Sequence, residues 1–129
     1  MASSRSRGIR WLSALGFLVV ALPAHAAPGF VGLDCRVVDA EYSGALARIV
    51  MVSATPNRLH VFDPLTAVDV PVDLPLAPTS LSVGPDGLFA AVGHDGWVSY
   101  VDLSAGSLVK TMPVSTAAVD VVLAGNGFV

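Results

Sequence analysis

The amino-acid sequence predicts an all-β chain built from a repeated four-stranded unit, on three observations. One motif is written twice: Leu59-His60-Val61-Phe62-Asp63-Pro64-Leu65-Thr66-Ala67-Val68 returns as Val98-Ser99-Tyr100-Val101-Asp102-Leu103-Ser104-Ala105-Gly106-Ser107, with Asp102 answering Asp63. A second echo runs from Leu81-Ser82-Val83-Gly84-Pro85-Asp86-Gly87-Leu88 to Val121-Val122-Leu123-Ala124-Gly125-Asn126-Gly127-Phe128, with Gly127 answering Gly87 at nearly the same spacing. Between these stand short β-branched or alternating runs punctuated by Gly, Pro and Asp, and no stretch after residue 30 has a helical apolar period bounded by caps. A self-similar unit of about 40 residues made of short strands is the pattern of propeller blades.

Residues 1–26 read as a signal peptide. Arg5, Arg7 and Arg10 form a positive n-region, Trp11 to Leu22 is mostly apolar, Pro23 breaks the run, and Ala24-His25-Ala26 places small residues where a signal peptidase reads them. The apolar run is shorter than the roughly 20 residues a membrane anchor needs. No two of these arginines are adjacent, which disfavours a twin-arginine signal. Secreted or periplasmic localisation is therefore expected, with no stable membrane span after cleavage before Ala27.

Cleavage leaves 103 of the 129 residues and removes only basic charge, so Arg36, Arg48, Arg58 and Lys110 stand against all ten acids, a net −6. No basic stripe exists to neutralise phosphates, which excludes nucleic acid as an expected partner. Cys35 is the single cysteine. Leu33-Asp34 before it lacks the small residues of a lipobox. A buried inert thiol, a reactive thiol and half of a disulfide to another chain all stay open, although no His or Lys lies nearby in sequence to favour the reactive one.

Residues 27–45 read as an N-terminal arm with a possible first strand over Arg36 to Tyr42, closed by a Ser43-Gly44 turn. The blade region runs from 46 to 129. Leu46 to Val52 is apolar and β-branched, as a strand buried on both faces requires, and Pro56-Asn57 suits the turn before Leu59 to Phe62. Val68 to Leu74 reads as an outer strand, because Pro71 cannot donate to a central ladder. The next blade is clearer: Thr79 to Val83 alternates, Gly84-Pro85-Asp86-Gly87 turns, Leu88 to Val92 is a buried strand, Asp95-Gly96 makes a hairpin, and Trp97 to Asp102 and Ser107 to Val114 complete four strands. Ala118 to Leu123 restarts the innermost strand of a third. A closed ring takes at least four such blades, on the order of 160 residues. The remaining blades are thus expected from a longer form of this protein or from another chain.

The stretch Pro78 to Gly93 with Val98 to Val109 resembles the YVTN-type β-propeller repeats of exported bacterial proteins. In those repeats a Ser-Pro-Asp-Gly turn precedes an apolar strand, and Val-Ile-Asp-x-x-Thr-Gly ends the third strand. Gly84 stands here for the Ser, Tyr100-Val101-Asp102 for Val-Ile-Asp, and Ala105-Gly106 for Thr-Gly. Asp95 to Leu103 also looks like the third strand of a WD repeat, with Val101 in place of the Trp. The resemblance covers residues 46 to 129. It implies blade architecture and leaves function open, since such repeats serve scaffolds, lactonases, lyases and quinoproteins alike.

Few residues carry chemistry. His94-Asp95 reads as a solvated hairpin turn. His60 reads as a half-buried strand histidine rather than a ligand. Asp63, Asp86 and Asp102 recur with the repeat, as turn formers do. Trp97 and Tyr100 read as packing residues between blades, although an aromatic at a propeller mouth can stack on a sugar. No phosphate loop, zinc spacing, calcium loop, nucleophile elbow or glycosylation sequon occurs. No catalytic, cofactor-binding or metal residue is therefore assigned, and no cofactor is implied. Two function classes follow. One is a non-catalytic extracytoplasmic scaffold whose loops bind a protein or glycan. The other is part of a propeller hydrolase or lactonase whose active-site residues lie in missing blades. An enzyme needs convergent polar groups at the starts of inner strands, where this chain places Pro78, Thr79, Ala117 and Ala118.

Overall fold

The structure, a computed structural model, describes residues 29–125; the expected signal-peptide segment 1–26 and residues 126–129 at the end of the expected blade region lie outside the described residues. Eight strands follow one another: β1 (Val37–Ser43), β2 (Arg48–Ala54), β3 (Asn57–Phe62), β4 (Asp69–Asp73), β5 (Pro78–Val83), β6 (Phe89–His94), β7 (Trp97–Asp102) and β8 (Ser107–Pro113). They form two antiparallel sheets, β1-β2-β3-β4 and β5-β6-β7-β8, with sequential neighbours paired throughout. No helix occurs among the described residues. This is the all-β, two-blade architecture expected from the repeat.

Each strand boundary has a local cause. Pro71 sits in β4, which is the sheet edge, opposite His60, where its missing N–H leaves no ladder bond unmade. Gly87 and Gly96 close their turns at φ of 71° and 74°, a region closed to most side chains. A Cβ on Gly87 would also come within 2.9 Å of the Ala45 Cβ. The first strand, read as a possible part of the 27–45 arm, is the innermost strand of the first sheet, and that sheet begins at Val37. Residues 118–123 lie where the third inner strand was expected, without a ladder. A strand needs a hydrogen-bonded neighbour, and no described segment pairs with their outer edge.

The two sheets pack face to face through one aliphatic layer. Val50, Val52, Leu59, Val61, Val72 and Leu74 of the first meet Leu81, Ala90, Val92, Val101 and Leu103 of the second. At about 1.5–3 kcal/mol for each large aliphatic side chain fully buried, this layer is the main favourable term. A second, smaller cluster of Ala91, Val98, Val121 and Leu123 covers the opposite face of the second sheet.

The repeat supplies a test of backbone strain. Gly106 has φ 62°, and Ala67, at the matching turn of the first blade, has φ 57°. Ala67→Gly should stabilise the protein by roughly 0.5–1 kcal/mol, relieved strain less the added chain entropy of glycine. Gly96→Ala should destabilise it by about 1 kcal/mol through the same strain in reverse. Denaturant midpoints of both variants check the pair.

Candidate functional site

The candidate polar residues gather in three places: a layer in each sheet where a histidine meets a serine, the tight turns after β3 and β7, and the free edges of the inner strands.

In the first sheet His60, on β3, is buried. Its Nδ1 lies 2.7 Å from Asp69 Oδ2 and its Nε2 lies 3.1 Å from Ser53 Oγ. Serine to Nε2 and Nδ1 to carboxylate is the connectivity of a hydrolase triad. Two features separate it from one. Ser53 is fully buried, and its hydroxyl donates to the Pro56 carbonyl at 2.7 Å. Its proton is therefore directed at an amide oxygen rather than at the imidazole, and both ring nitrogens face acceptors. The sequence reading missed this relay, because Ser53, His60 and Asp69 come from three strands and only the ladder brings them together. Cys35, half-buried and free, lines a groove of about 350 Å³ with Asp34, Met51, Arg58, His60 and Asp69.

In the second sheet His94 departs from expectation. It ends β6 and is fully buried, not solvated. The ring is held inside because it meets partners there: Nδ1 lies 3.1 Å from the Ala77 carbonyl, and Nε2 lies 2.9 Å from Ser99 Oγ, itself 3.2 Å from Thr111 Oγ1. The carbonyl can only accept, so Nδ1 carries the proton, Ser99 donates to Nε2, and Thr111 donates to Ser99. Burial, the largest influence, pushes the ring below its usual 6.5, opposed by the Ala77 and Leu76 carbonyls. The two layers occupy matching ladder positions, since Met51 pairs with His60 as Val92 pairs with Ser99. Serine and histidine have exchanged strands between the sheets, and the carboxylate of one is replaced by a carbonyl in the other.

The recurring aspartates are turn formers, as expected. Asp63 Oδ1 accepts from the N–H groups of Leu65 and Thr66 at 2.9 and 3.3 Å, and Arg48 lies 3.0 Å from its other oxygen. Asp102 Oδ1 accepts from the Ser104 hydroxyl at 2.6 Å and the Ala105 N–H at 2.9 Å. Both carboxyls are held below the usual 3.8, Asp63 chiefly by the Leu65 N–H and Asp102 chiefly by the Ser104 hydroxyl. Asp86 accepts from the Leu88 N–H at 2.9 Å. Tyr100 stacks on Phe89 with centroids 5.3 Å apart and lies 5.8 Å beneath the Lys110 ammonium, so its ring is engaged within the sheet. Trp97 is partly exposed beside the β6–β7 turn.

At the inner edges Asp39 and Glu41, two residues apart on one face of β1, accept from the N–H groups of Leu81 and Val83 at 2.9 and 2.7 Å. They satisfy the open edge of β5. Ser82 does the same for the Leu123 N–H at 3.1 Å, and the Thr79 hydroxyl donates to the Ala118 carbonyl. Pro78 starts β5, and Ala117 and Ala118 line a groove on the second sheet. Ser80 Oγ, buried between these contacts, has no hydrogen-bond partner among the described residues. No group of three or more His, Cys, Asp or Glu is placed to hold a metal ion among the described residues, and no described helix is long and apolar enough to cross a membrane.

No protein-family model matches the chain, and no curated protein matches it. Solved structures do. The chain superposes on hydrazine synthase of Kuenenia stuttgartiensis with a TM-score of 0.65 at 19% identity, covering 78% of this chain and 30% of that one. The β-propeller domain of Cps50 (Swd1) from Myceliophteria thermophila gives 0.58 at 14% identity, covering 67% and 28%, and apo AztD from Citrobacter koseri gives 0.55 at 18%, covering 73% and 25%. These neighbours are β-propeller proteins, and the two four-stranded sheets are blades of that fold. The chain spans less than a third of each of the three.

The proton states carry a pH dependence with a definite sign. His94 is depressed in the fold, so its stabilisation is complete above pH 6.5 and declines as pH falls below that value, where the unfolded ring protonates first. Asp63 and Asp102 are also depressed, and their contribution is present above pH 3.8 and lost below it. Urea midpoints measured from pH 8 to 3 should therefore fall in two stages. His94→Gln should remove this ring's share of the upper stage.

Proposed function

We propose that this chain is a non-catalytic, extracytoplasmic β-propeller scaffold that presents its inter-strand loops to a protein partner. One observation carries the reading: the residues best suited to catalysis are consumed inside the blades. The Ser53–His60–Asp69 relay has a fully buried serine whose hydroxyl donates to the Pro56 backbone carbonyl. His94 is locked between Ala77 and Ser99, and Asp63, Asp86 and Asp102 hold turns. Side chains so committed cannot also move protons to a substrate without breaking the sheet. A protein is favoured over a glycan because, of the two aromatics that could stack on a sugar, Tyr100 is engaged by Phe89 and Lys110 and Trp97 alone stands exposed.

A serine-directed fluorophosphonate tests the catalytic question. No adduct should form at Ser53 in the folded protein, and Ser53→Ala should cost about 1–3 kcal/mol of stability by leaving His60 Nε2 without its partner. An adduct at Ser53 that vanishes in His60→Ala would instead establish a hydrolase. Extracytoplasmic placement rests on the 1–26 segment. The mature N-terminus, read by mass spectrometry of the exported protein, should be Ala27. Retention of residues 1–26 would overturn it.

A further inference from the structure

We propose that His94 is an acid-sensitive latch: while its ring is neutral it holds the connections after β4 and after β8 against the end of β6, and protonation releases both. The inference goes beyond the scaffold reading and rests on what converges at this one residue.

Two connections meet at His94. Its ring Nδ1 donates to the Ala77 carbonyl of the β4–β5 connection at 3.1 Å. Its own carbonyl accepts from the Ala118 N–H, beyond β8, at 3.1 Å. The Thr79 hydroxyl holds the other side of Ala118 through its carbonyl. In the first blade Ala54 has the matching place, since it pairs with Asn57 as His94 pairs with Trp97. There the grip is an amide: Asn57 donates to the Ala54 carbonyl at 2.6 Å and accepts from the Ala77 N–H at 3.3 Å. Ala77 is thus held by both blades. A side chain that does not titrate holds its N–H, and an imidazole holds its carbonyl.

The surroundings decide what a proton does here. The ring is fully buried, and its partners, the Ala77 carbonyl and a Ser99 hydroxyl backed by Thr111, are all neutral. β5 carries no charged residue. The charges on the other elements around the ring are engaged elsewhere. Asp69 bonds His60, Asp73 pairs with Arg58, and Asp102 accepts within its own turn. Lys110 lies 5.8 Å from the Tyr100 ring centroid, Asp120 accepts from the Val121 N–H, and Asp95 is exposed in the turn beyond β6. No charged side chain among the described residues bonds the ring, so a buried imidazolium would have no counter-charge.

Position supplies the way out. His94 is the last residue of β6, beside the Asp95-Gly96 turn, so the ring can leave by fraying one ladder pair rather than by parting the sheet. His60 differs on both counts: it sits inside β3 between Met51 and Pro71, and the Asp69 carboxylate lies 2.7 Å from its Nδ1. A proton on His60 meets a carboxylate, and one on His94 meets none. Burial holds the closed His94 ring below its usual 6.5, a value the released ring regains. The latch is therefore closed above pH 6.5 and loosens as pH falls below it.

Amide hydrogen-exchange protection factors of the full chain at about pH 7.5 and about pH 5 test the latch. The Ala118 N–H should lose protection severalfold, up to about thirtyfold, the limit set by a ring that titrates at 6.5 only once released. The Ala77 N–H, held by Asn57, should keep its factor. His94→Gln carries no charge, and its amide can meet both Ala77 and Ser99, so it should remove the pH step at Ala118. His60→Gln should leave that step in place. A pH-independent factor at Ala118, a parallel fall at Ala118 and Ala77, or a step that survives His94→Gln would overturn the proposal. The comparison of the two amides needs no variant to fold. Neither amide reports on whether Ser53 labels, so the two readings fail separately.

Discussion

The structure depends on the packing of one blade's face against the next. A four-stranded sheet buries its central strands only if both faces are covered, and here the branched side chains of β2, β3 and β4 are covered by those of β5, β6 and β7. Because the hydrophobic effect is non-directional, this layer supplies stability without dictating alignment. Alignment comes from the inner edges, where Asp39 and Glu41 reach the N–H groups of Leu81 and Val83. A buried Ser43 hydroxyl adds a third tie, donating to the Gly87 carbonyl at 2.6 Å. Side chains that bond the backbone of the next repeat hold blade to blade at a set height.

The histidine–serine layers explain how polar atoms enter a sheet that is otherwise aliphatic. A buried imidazole is tolerated only when both nitrogens are satisfied. The first blade does this with a carboxylate and a serine, the second with a carbonyl and a serine backed by a threonine. The His94 bond to Ala77 has a further consequence: it ties the β4–β5 connection, and so the crossover between blades, to the middle of the second sheet. The triad-like connectivity in the first blade satisfies buried polar atoms, with Ser53 fully buried and its hydroxyl donating to the Pro56 carbonyl.

The same reasoning accounts for the turns. Asp63 and Asp102 each cap a turn with one carboxylate oxygen, which makes the negative charge useful and lowers the proton affinity of both groups. The repeat is chemically uneven elsewhere. Ala67 takes the left-handed position that Gly106 fills without strain, and Ser80 keeps a buried hydroxyl where Asp39 has an edge to satisfy. The N–H that Ser80 would meet, that of Val121, is taken at 2.9 Å by Asp120.

Strand order, turn positions and the four-stranded unit were legible in the chain itself, because the period of two, the Asp-Gly turns and the repeat length are local or self-referential signals. Pro71 announced an edge strand for the same reason. The beginning of the first blade was harder to read, since β1 has a mixed composition and is placed by pairing with β2 and capping β5. The fate of the polar residues was decided only in three dimensions. His94 follows a glycine and precedes Asp95-Gly96, which locally reads as a wet turn, yet the approach of Ala77 and Ser99 buries it. Ser53, His60 and Asp69 carry no sequence signature, because their bonds cross the ladder and composition cannot report which neighbour a side chain will meet.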